Sequence, residues 1–179
     1  MNRASQNAFE SGSRKVIPST LIYVFHQGKV LMIHRRSKDA LRSDIHEGKW
    51  NGLGGKCEQD ESPLMAAQRE LHEESGLCLP PSQFKSVGVI QFPNFKPQKS
   101  EDWLVFLFRV DLEGVSDPQV LRENGEGTLH WILVSDILNL NLWPGDVLFL
   151  PPVLKGQSVM GTIWYEKGQV KDSWIQFLS

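Results

Sequence analysis

Short runs of apolar, β-branched and aromatic residues recur along the chain, and polar turns separate them. Runs of this length and composition are typical of β-strands. They lie at residues 20–25, 29–34, 86–92, 103–110, 128–134, 158–165 and 169–177. Gln27-Gly28 and Lys167-Gly168 each separate two consecutive runs, which predicts two β-hairpins. The segment that holds Pro93 and Pro97 is predicted to be a loop.

One segment has a helical period instead. Its apolar residues Leu64, Ala67 and Leu71 follow one another at steps of three and four, which places them on one face of a helix. Ser62-Pro63 supplies a capping hydroxyl and a proline suited to the first turn, and Gly76 supplies a stop. We therefore predict an amphipathic α-helix between Ser62 and Gly76 that lays its apolar face on a core.

Two further helical segments are predicted later in the chain. Residues 136–140 are typical of a short helical turn, and residues 146–154 of a longer helix that is capped by Asp146 and contains Pro151-Pro152. Strands before and after one strong helix, with a second helix late in the sequence, indicate an α/β or α+β fold with a mixed sheet.

Length and local composition predict one domain. A chain of 179 residues with 40% hydrophobic content can bury one sizeable core. Residues 1–17 are polar and are expected to form a flexible N-terminal segment, which leaves a single domain at residues 18–179. Residues 37–49 are charged and irregular, so we expect a long surface loop that could contact substrate or act as a lid.

Charge and cysteine content limit the possible partners. With 19 basic and 21 acidic residues the net charge is −2, so no overall basic field would attract duplex nucleic acid or a membrane surface. A small phosphorylated molecule remains compatible with this charge. Cys57 and Cys78 have neither CxxC nor zinc-ligand spacing, and no apolar run is long enough to span a bilayer. We expect a cytoplasmic protein, either monomer or homodimer.

The predicted helix carries an unusual concentration of acid. Glu70, Glu73 and Glu74 fall within little more than one turn, and Arg69 alone cannot neutralise them. Clustered carboxylates suit Mg²⁺ or Mn²⁺, which bind proteins through a few carboxylates together with substrate phosphates. A solvated acidic helix face is the plainer interpretation. The glycine-rich residues 51–55 favour a site, because glycine lets the backbone approach a ligand closely.

The spacing of the charged residues also matches a known motif. Residues 55–77 resemble the Nudix box, in which nine positions are fixed. These are Gly55, Glu61, Arg69, Glu70, Leu71, Glu73, Glu74, Gly76 and Leu77. Residues 50–56 and 142–146, with Gly161 and Trp164, further resemble the MutT-type branch that hydrolyses oxidised purine nucleoside triphosphates such as 8-oxo-dGTP. The resemblance implies a Nudix α/β/α sandwich with a mixed β-sheet.

The resemblance also assigns roles in the metal site. It implies that Glu70, Glu73 and Glu74 are metal ligands or the catalytic base, with Glu73 or Glu70 taking the proton from water. Two further metal contacts are implied, the carbonyl group of Gly54 and the carboxylate of Glu126. Arg69 would orient Glu73, and Glu61 would lie nearby in the loop. The implied cofactor is Mg²⁺ or Mn²⁺.

For the substrate, the resemblance implies five contacts. They are Asn51, Trp143, Asp146, Thr20 and Lys56. The amide of Asn51 can both donate to and accept from a purine edge, and Trp143 offers a stacking face. The similar enzymes have two aspartates after Trp-Pro that discriminate the oxidised base. In this chain Gly145 replaces the first of them, and Asp146 remains.

The implied reaction is Mg²⁺-dependent hydrolysis of a modified purine nucleoside triphosphate to the monophosphate and pyrophosphate, which would sanitise the nucleotide pool. An alternative substrate is ADP-ribose or another nucleoside diphosphate derivative, because Pro93 lies sixteen residues after Leu77, where such hydrolases often have proline. A non-catalytic nucleotide-binding module is a third possibility. Such modules usually lose glutamates of the Nudix box, and this chain retains them all.

Overall fold

The computed structural model describes Phe9 and residues 11–36 and 47–178. These residues form one sheet, two α-helices and three short 3-10 helices. The strands are β1 (Lys15–His26), β2 (Lys29–Arg35), β3 (Trp50–Asn51), β4 (Phe84–Lys96), β5 (Glu101–Asp111), β6 (Glu123–Asn124), β7 (Gly127–Leu133), β8 (Ser158–Glu166) and β9 (Gln169–Leu178). The helices are α1 (Pro63–Ser75) and α2 (Asp146–Leu154), with 3-10 turns at Pro81–Gln83, Pro97–Lys99 and Val134–Asn139.

The sheet is mixed, as predicted. Its strand order is β6-β7-β2-β1-β5-β4-β8-β9, and the two-residue β3 pairs with β2. β1 runs parallel to β5 and β4 runs parallel to β8, whereas the other neighbouring strands are antiparallel. The two long hairpins predicted from the sequence, β1-β2 and β8-β9, are both confirmed.

Helices cover both faces of the sheet. Successive side chains of a strand point to opposite faces. Ile22 of β1 therefore packs in a core that includes Leu71 of α1, whereas its neighbour Tyr23 packs in a second core that includes Phe149 and Val153 of α2. This arrangement is the predicted α/β/α sandwich. None of the described helices has the length and apolar character that crossing a bilayer requires.

The signals that bound α1 act as the sequence predicts. The Ser62 hydroxyl accepts a hydrogen bond from the Met65 N–H at 3.2 Å, and Pro63 occupies the first turn. Gly76 ends the helix at φ 78°, where its N–H donates to the His72 carbonyl at 2.8 Å. Because both ends are fixed, the direction in which the acidic residues of α1 project is fixed as well.

Three details differ from the sequence prediction. β1 begins at Lys15, so residues 15–17 belong to the sheet, where parallel pairing with β5 engages their backbone. β4 continues through Pro93 to Lys96, and a register shift against β5 accommodates the proline in the strand. Asp146 does not cap α2, because Gly145 is the N-cap residue and makes no side-chain hydrogen bond, whereas Asp146 is buried. Residues 37–46 of the predicted surface loop and residues 1–8 and 10 of the predicted N-terminal segment lie outside the described residues.

The apolar face of α1 gives a test of this packing. Leu71→Ala should lower the free energy of unfolding by about 2–4 kcal/mol, because Leu71 is completely buried against the sheet. Met65→Ala on the same helix is the matched control, since Met65 is 54% exposed and should cost less than about 0.5 kcal/mol. Urea denaturation of both variants measures the two values, and equal losses would contradict the assigned packing face.

Candidate active site

A glycine-rich loop lies directly against β1 and forms the centre of the site. The Ile22 N–H donates to the Leu53 carbonyl at 2.7 Å, and the Thr20 N–H donates to the Gly55 carbonyl at 2.8 Å. Between them Gly54 has φ 133°, and a Cβ at Gly54 would lie 2.3 Å from the Thr20 carbonyl oxygen. Only glycine fits this conformation and this separation.

Arg69 joins the loop to the acidic face of α1. Its Nε and Nη2 donate to the two carboxylate oxygens of Glu61, both at 2.9 Å. Its Nη1 donates to Glu70 at 2.9 Å and to Glu73 at 3.2 Å, and its Nη2 also donates to the Lys56 carbonyl at 3.0 Å. Arg69 therefore fixes the loop and two of the predicted ligands together, and the fork it makes with Glu61 lowers the pKa of that carboxyl.

The box glutamates differ in their surroundings. Glu70 is packed so closely that a Cβ at Gly55 would lie 2.4 Å from its Oε1. Glu74 is 5% exposed and accepts a hydrogen bond from the Gly54 N–H at 2.7 Å. The side chain of Glu73 is 57% exposed. The loop is therefore in contact with two acids, whereas the third faces solvent.

The nearby cationic side chains do not fully neutralise these carboxylates. Burial, with the nearby charges of Glu126 and Glu70, raises the pKa of Glu74 to about 8, against the opposing effect of the hydrogen bond from the Gly54 N–H. Burial is also the main cause that raises the pKa of Glu70, against the opposing effect of Arg69. No complete metal-ligand cluster is preformed in the described part of the chain. The donor set nevertheless fits a divalent cation, because it offers hard oxygen ligands and excess negative charge.

Glu126 reaches the site from the turn between β6 and β7. The amide nitrogen of Asn124 donates to the Glu74 carbonyl at 2.9 Å, which attaches this turn to the end of α1. The amide oxygen of Asn124 accepts the Glu126 N–H at 2.8 Å, and the carboxylate of Glu126 forms an ion pair with Arg35 at the end of β2. Sequence reasoning found Glu126 but missed Asn124 and Arg35, which come close to α1 only through the strand order.

A cavity of about 100 Å³ opens on the other side of the glycine loop. Residues predicted to contact substrate or metal supply part of its lining, namely Thr20, Asn51, Gly54, Trp143 and Asp146. The remaining lining was not predicted and consists of Ser19, Leu21, Gly55, Phe92, Phe95, Trp103, Val105 and Tyr165. The cavity is therefore mainly apolar and aromatic, with a few polar groups at defined positions.

Aromatic side chains from separate strands form one wall of this cavity. The Phe95 ring lies edge-on to Trp143 and to Tyr165, each with centroids 5.6 Å apart, and Trp103 follows at 5.7 Å. Lys56 does not line the cavity. Instead, its ammonium nitrogen lies 5.4 Å from the centroid of the Trp103 ring. Strand pairing brings Phe95, Trp103 and Tyr165 together, so the sequence pattern gave no signal for their contact, whereas Trp143 joins them from the segment before α2.

Asp146 is the one buried acid in the cavity lining. Burial raises its pKa to about 7, although Lys49 and a backbone hydrogen bond from Trp143 act in the opposite direction. Tyr165 lies nearby, where its hydroxyl oxygen accepts the Gly145 N–H at 2.7 Å. A Cβ at Gly145 would lie 2.5 Å from the same hydroxyl, so Tyr165 fills the space that a side chain at position 145 would need.

A larger open groove of about 710 Å³ lies at the far end of β1 and carries no comparable chemistry. Its arginine, Arg109, donates to both oxygens of Asp111 at 2.7–3.0 Å and stacks on Phe25 at 3.6 Å. These groups satisfy one another. The smaller cavity beside the acidic cluster is therefore the candidate site.

Comparison with known proteins identifies the family of this chain. The NUDIX domain family matches residues 15–152. A zebrafish oxidized purine nucleoside triphosphate hydrolase is 33% identical over 144 residues, which cover 79% of this chain and 82% of that protein. An uncharacterized Nudix hydrolase of Bacillus subtilis is 36% identical over 119 residues, covering 66% of this chain and 73% of that protein.

The fold is also that of a solved relative. The crystal structure of a MutT protein from Bacillus halodurans superposes with a TM-score of 0.74 at 23% identity, covering 89% of this chain and 97% of that one. The chain belongs to the Nudix family and is a hydrolase of nucleotide phosphoanhydrides.

Proposed function

We propose that the enzyme hydrolyses nucleoside triphosphates with a modified purine base to the monophosphate and pyrophosphate, using Mg²⁺ or Mn²⁺. One observation carries the proposal, namely that Gly54-Gly55 separates the acidic cluster from the aromatic cavity. A nucleotide that crosses this loop would have its phosphates beside Glu70 and Glu74 and its base in the cavity.

The acidic side of the loop would bind the cation and the phosphates. Glu70, Glu73 and Glu74, with Glu126 and the Gly54 carbonyl, would hold the metal. When bound, the cation would neutralise phosphoryl oxygens and lower the pKa of a coordinated water.

The protein's own part is to orient the carboxylates. Arg69 holds Glu70 and Glu73 in fixed positions, and the exposed Glu73 keeps one carboxylate oxygen that can accept a proton from an attacking water.

The cavity side would recognise the base. The Asn51 amide oxygen accepts the Gly52 N–H at 3.0 Å, so its NH₂ group is the part that can donate to a purine acceptor. A buried Asp146 with a pKa of about 7 can act as a donor when protonated and as an acceptor when ionised. Trp143 supplies a stacking face. This combination suits a purine whose hydrogen-bonding edge has been altered.

The substitution at position 145 bears on which purine is preferred. Similar enzymes use a pair of aspartates there, whereas this chain has a single acid, with the Tyr165 hydroxyl beside Gly145. The alternative substrate, ADP-ribose, is supported in the sequence by Pro93. That residue lies on a separate groove with Arg14 and Asp102 and does not line the base cavity. Modified triphosphates therefore remain the better-supported class.

Substrate class can be tested with a nucleotide panel. Pyrophosphate release should be fastest with oxidised or otherwise modified purine triphosphates and slower with the four common deoxynucleoside triphosphates. ADP-ribose and nucleotide sugars, followed by product chromatography, test the alternative. Equally slow turnover of every triphosphate, or preferential cleavage of ADP-ribose, would contradict the proposed substrate.

The proposed role of Glu73 gives a second test. Glu73→Gln should lower kcat by about 100-fold or more, because the amide cannot accept the proton that a carboxylate accepts. Glu58→Gln is the matched control, since Glu58 is an exposed acid in the loop before α1 and contacts Glu61 through its backbone N–H. Full activity of the Glu73→Gln variant would show that Glu73 is not the proton acceptor.

Burial of Asp146 predicts a pH-dependent stability. Its pKa rises from 3.8 to about 7 on folding, so the folded state holds this proton more tightly. The stabilisation from protonation is complete below about pH 4 and is lost as the pH rises toward 7. Asp146→Asn, which is neutral throughout, should therefore gain stability over the parent at pH 8, by roughly 4 kcal/mol at most, and much less at pH 4.5.

Urea denaturation of Asp146→Asn at the two pH values measures this difference. The exposed Asp117→Asn variant is the control and should differ from the parent equally at both pH values. A gain for the Asp146 variant that does not change with pH would show that the aspartate is ionised in both states.

A further inference from the structure

Arg35 lies at the edge of the acidic cluster and belongs to no motif. Its guanidinium forms an ion pair with Glu126 and is largely shielded, with 17% of the side chain exposed against 30% for Glu126. The pair lies close to the box, because Asn124 donates to the Glu74 carbonyl at 2.9 Å and accepts the Glu126 N–H at 2.8 Å. Arg35 is therefore a second cation at the site, besides Arg69.

Hydrogen bonds to their backbone hold Arg35 and Glu126 in place independently of the ion pair between their own side chains. The Arg36 N–H donates to the Glu126 carbonyl at 2.9 Å, and the Arg35 N–H donates to the Lys49 carbonyl at 2.9 Å. Asn124 fixes the Glu126 N–H from the other side at 2.8 Å. Removal of the Arg35 side chain should therefore leave Glu126 where it is and change mainly the charge around it.

A neighbouring residue provides a contrast. Arg36 also forms an ion pair, with Glu123, but those side chains are 57% and 64% exposed. Solvent screens exposed pairs strongly, whereas a partly buried guanidinium acts on nearby charges with much less screening. Of these two adjacent arginines, Arg35 is the one that pairs with Glu126 and is largely shielded from solvent.

We propose that Arg35 is a counterion for Glu126 and that its guanidinium competes with the divalent cation for the Glu126 carboxylate. The proposal rests on the metal site of the proposed function. A carboxylate oxygen that is engaged by a guanidinium is less available as a ligand, and the positive charge also repels a cation nearby. Arg35 thus lowers the intrinsic metal affinity of the nucleotide-free enzyme, and it acts as a positioning residue through Glu126.

Direct measurement of Mn²⁺ binding to the full chain without nucleotide tests this role. Arg35→Met should bind Mn²⁺ about fivefold or more tightly, because one nearby positive charge has been removed. Arg35→Lys, which keeps the charge, should remain near the parent value. Arg36→Met is the matched control and should leave the affinity unchanged.

A double mutant separates competition for Glu126 from a general change in the fold. In the Glu126→Gln background, adding Arg35→Met should tighten Mn²⁺ binding much less than in the parent. Circular dichroism and thermal melting establish that each variant is folded. Arg35→Gln, which keeps a hydrogen-bond donor without the charge, provides the same test if the methionine variant does not fold.

The outcomes distinguish the two proposals. Mn²⁺ binding by the parent with unchanged or weaker binding by the neutral Arg35 variants would overturn the counterion role and leave the proposed function in place. Failure of the parent to bind Mn²⁺ at all would contradict the metal site itself. Tighter binding that persists fully in the Glu126→Gln background would also overturn the inference, because the effect would not involve Glu126.

Discussion

The structure depends on the close approach of residues 52–55 to β1. Backbone hydrogen bonds at Ile22 and Thr20 hold this loop on the strand, and the positive φ of Gly54 permits contact with the Thr20 carbonyl. The same glycine donates its N–H to Glu74. One short stretch of backbone thus sets the position of the helix acids on one side and of the cavity on the other. A side chain at Gly54 would disturb both.

Charge balance is the second constraint. Five glutamates lie at the site, and Arg69 and Arg35 are paired with four of them, whereas the buried Glu74 relies on a backbone N–H. The site thus holds more negative than positive charge, so a bound cation would stabilise it. Each arginine also orients the carboxylates it contacts.

The cavity is assembled differently, because pairing between strands that are distant in sequence forms its wall. Phe95 of β4 contacts both Trp103 of β5 and Tyr165 of β8, so the wall extends over three neighbouring strands. The glutamates of α1 are local in sequence, whereas the cavity wall is assembled from distant strands. Residues of the cavity wall such as Tyr165 can therefore differ while the glutamates of α1 stay fixed.

The sequence by itself determined the elements and the chemistry that depend on local spacing. Helix caps, turn residues and a run of acids within one helix act over a few residues, so α1 and its Glu70, Glu73 and Glu74 could be predicted together. Tertiary structure alone decided which distant groups meet them. The Arg35–Glu126 pair and the aromatic wall depend on strand order, and the burial of Asp146 depends on the packing of α2 on the sheet. Contacts of that kind leave no periodic pattern of residues in the sequence, because they arise only when separated segments pack together.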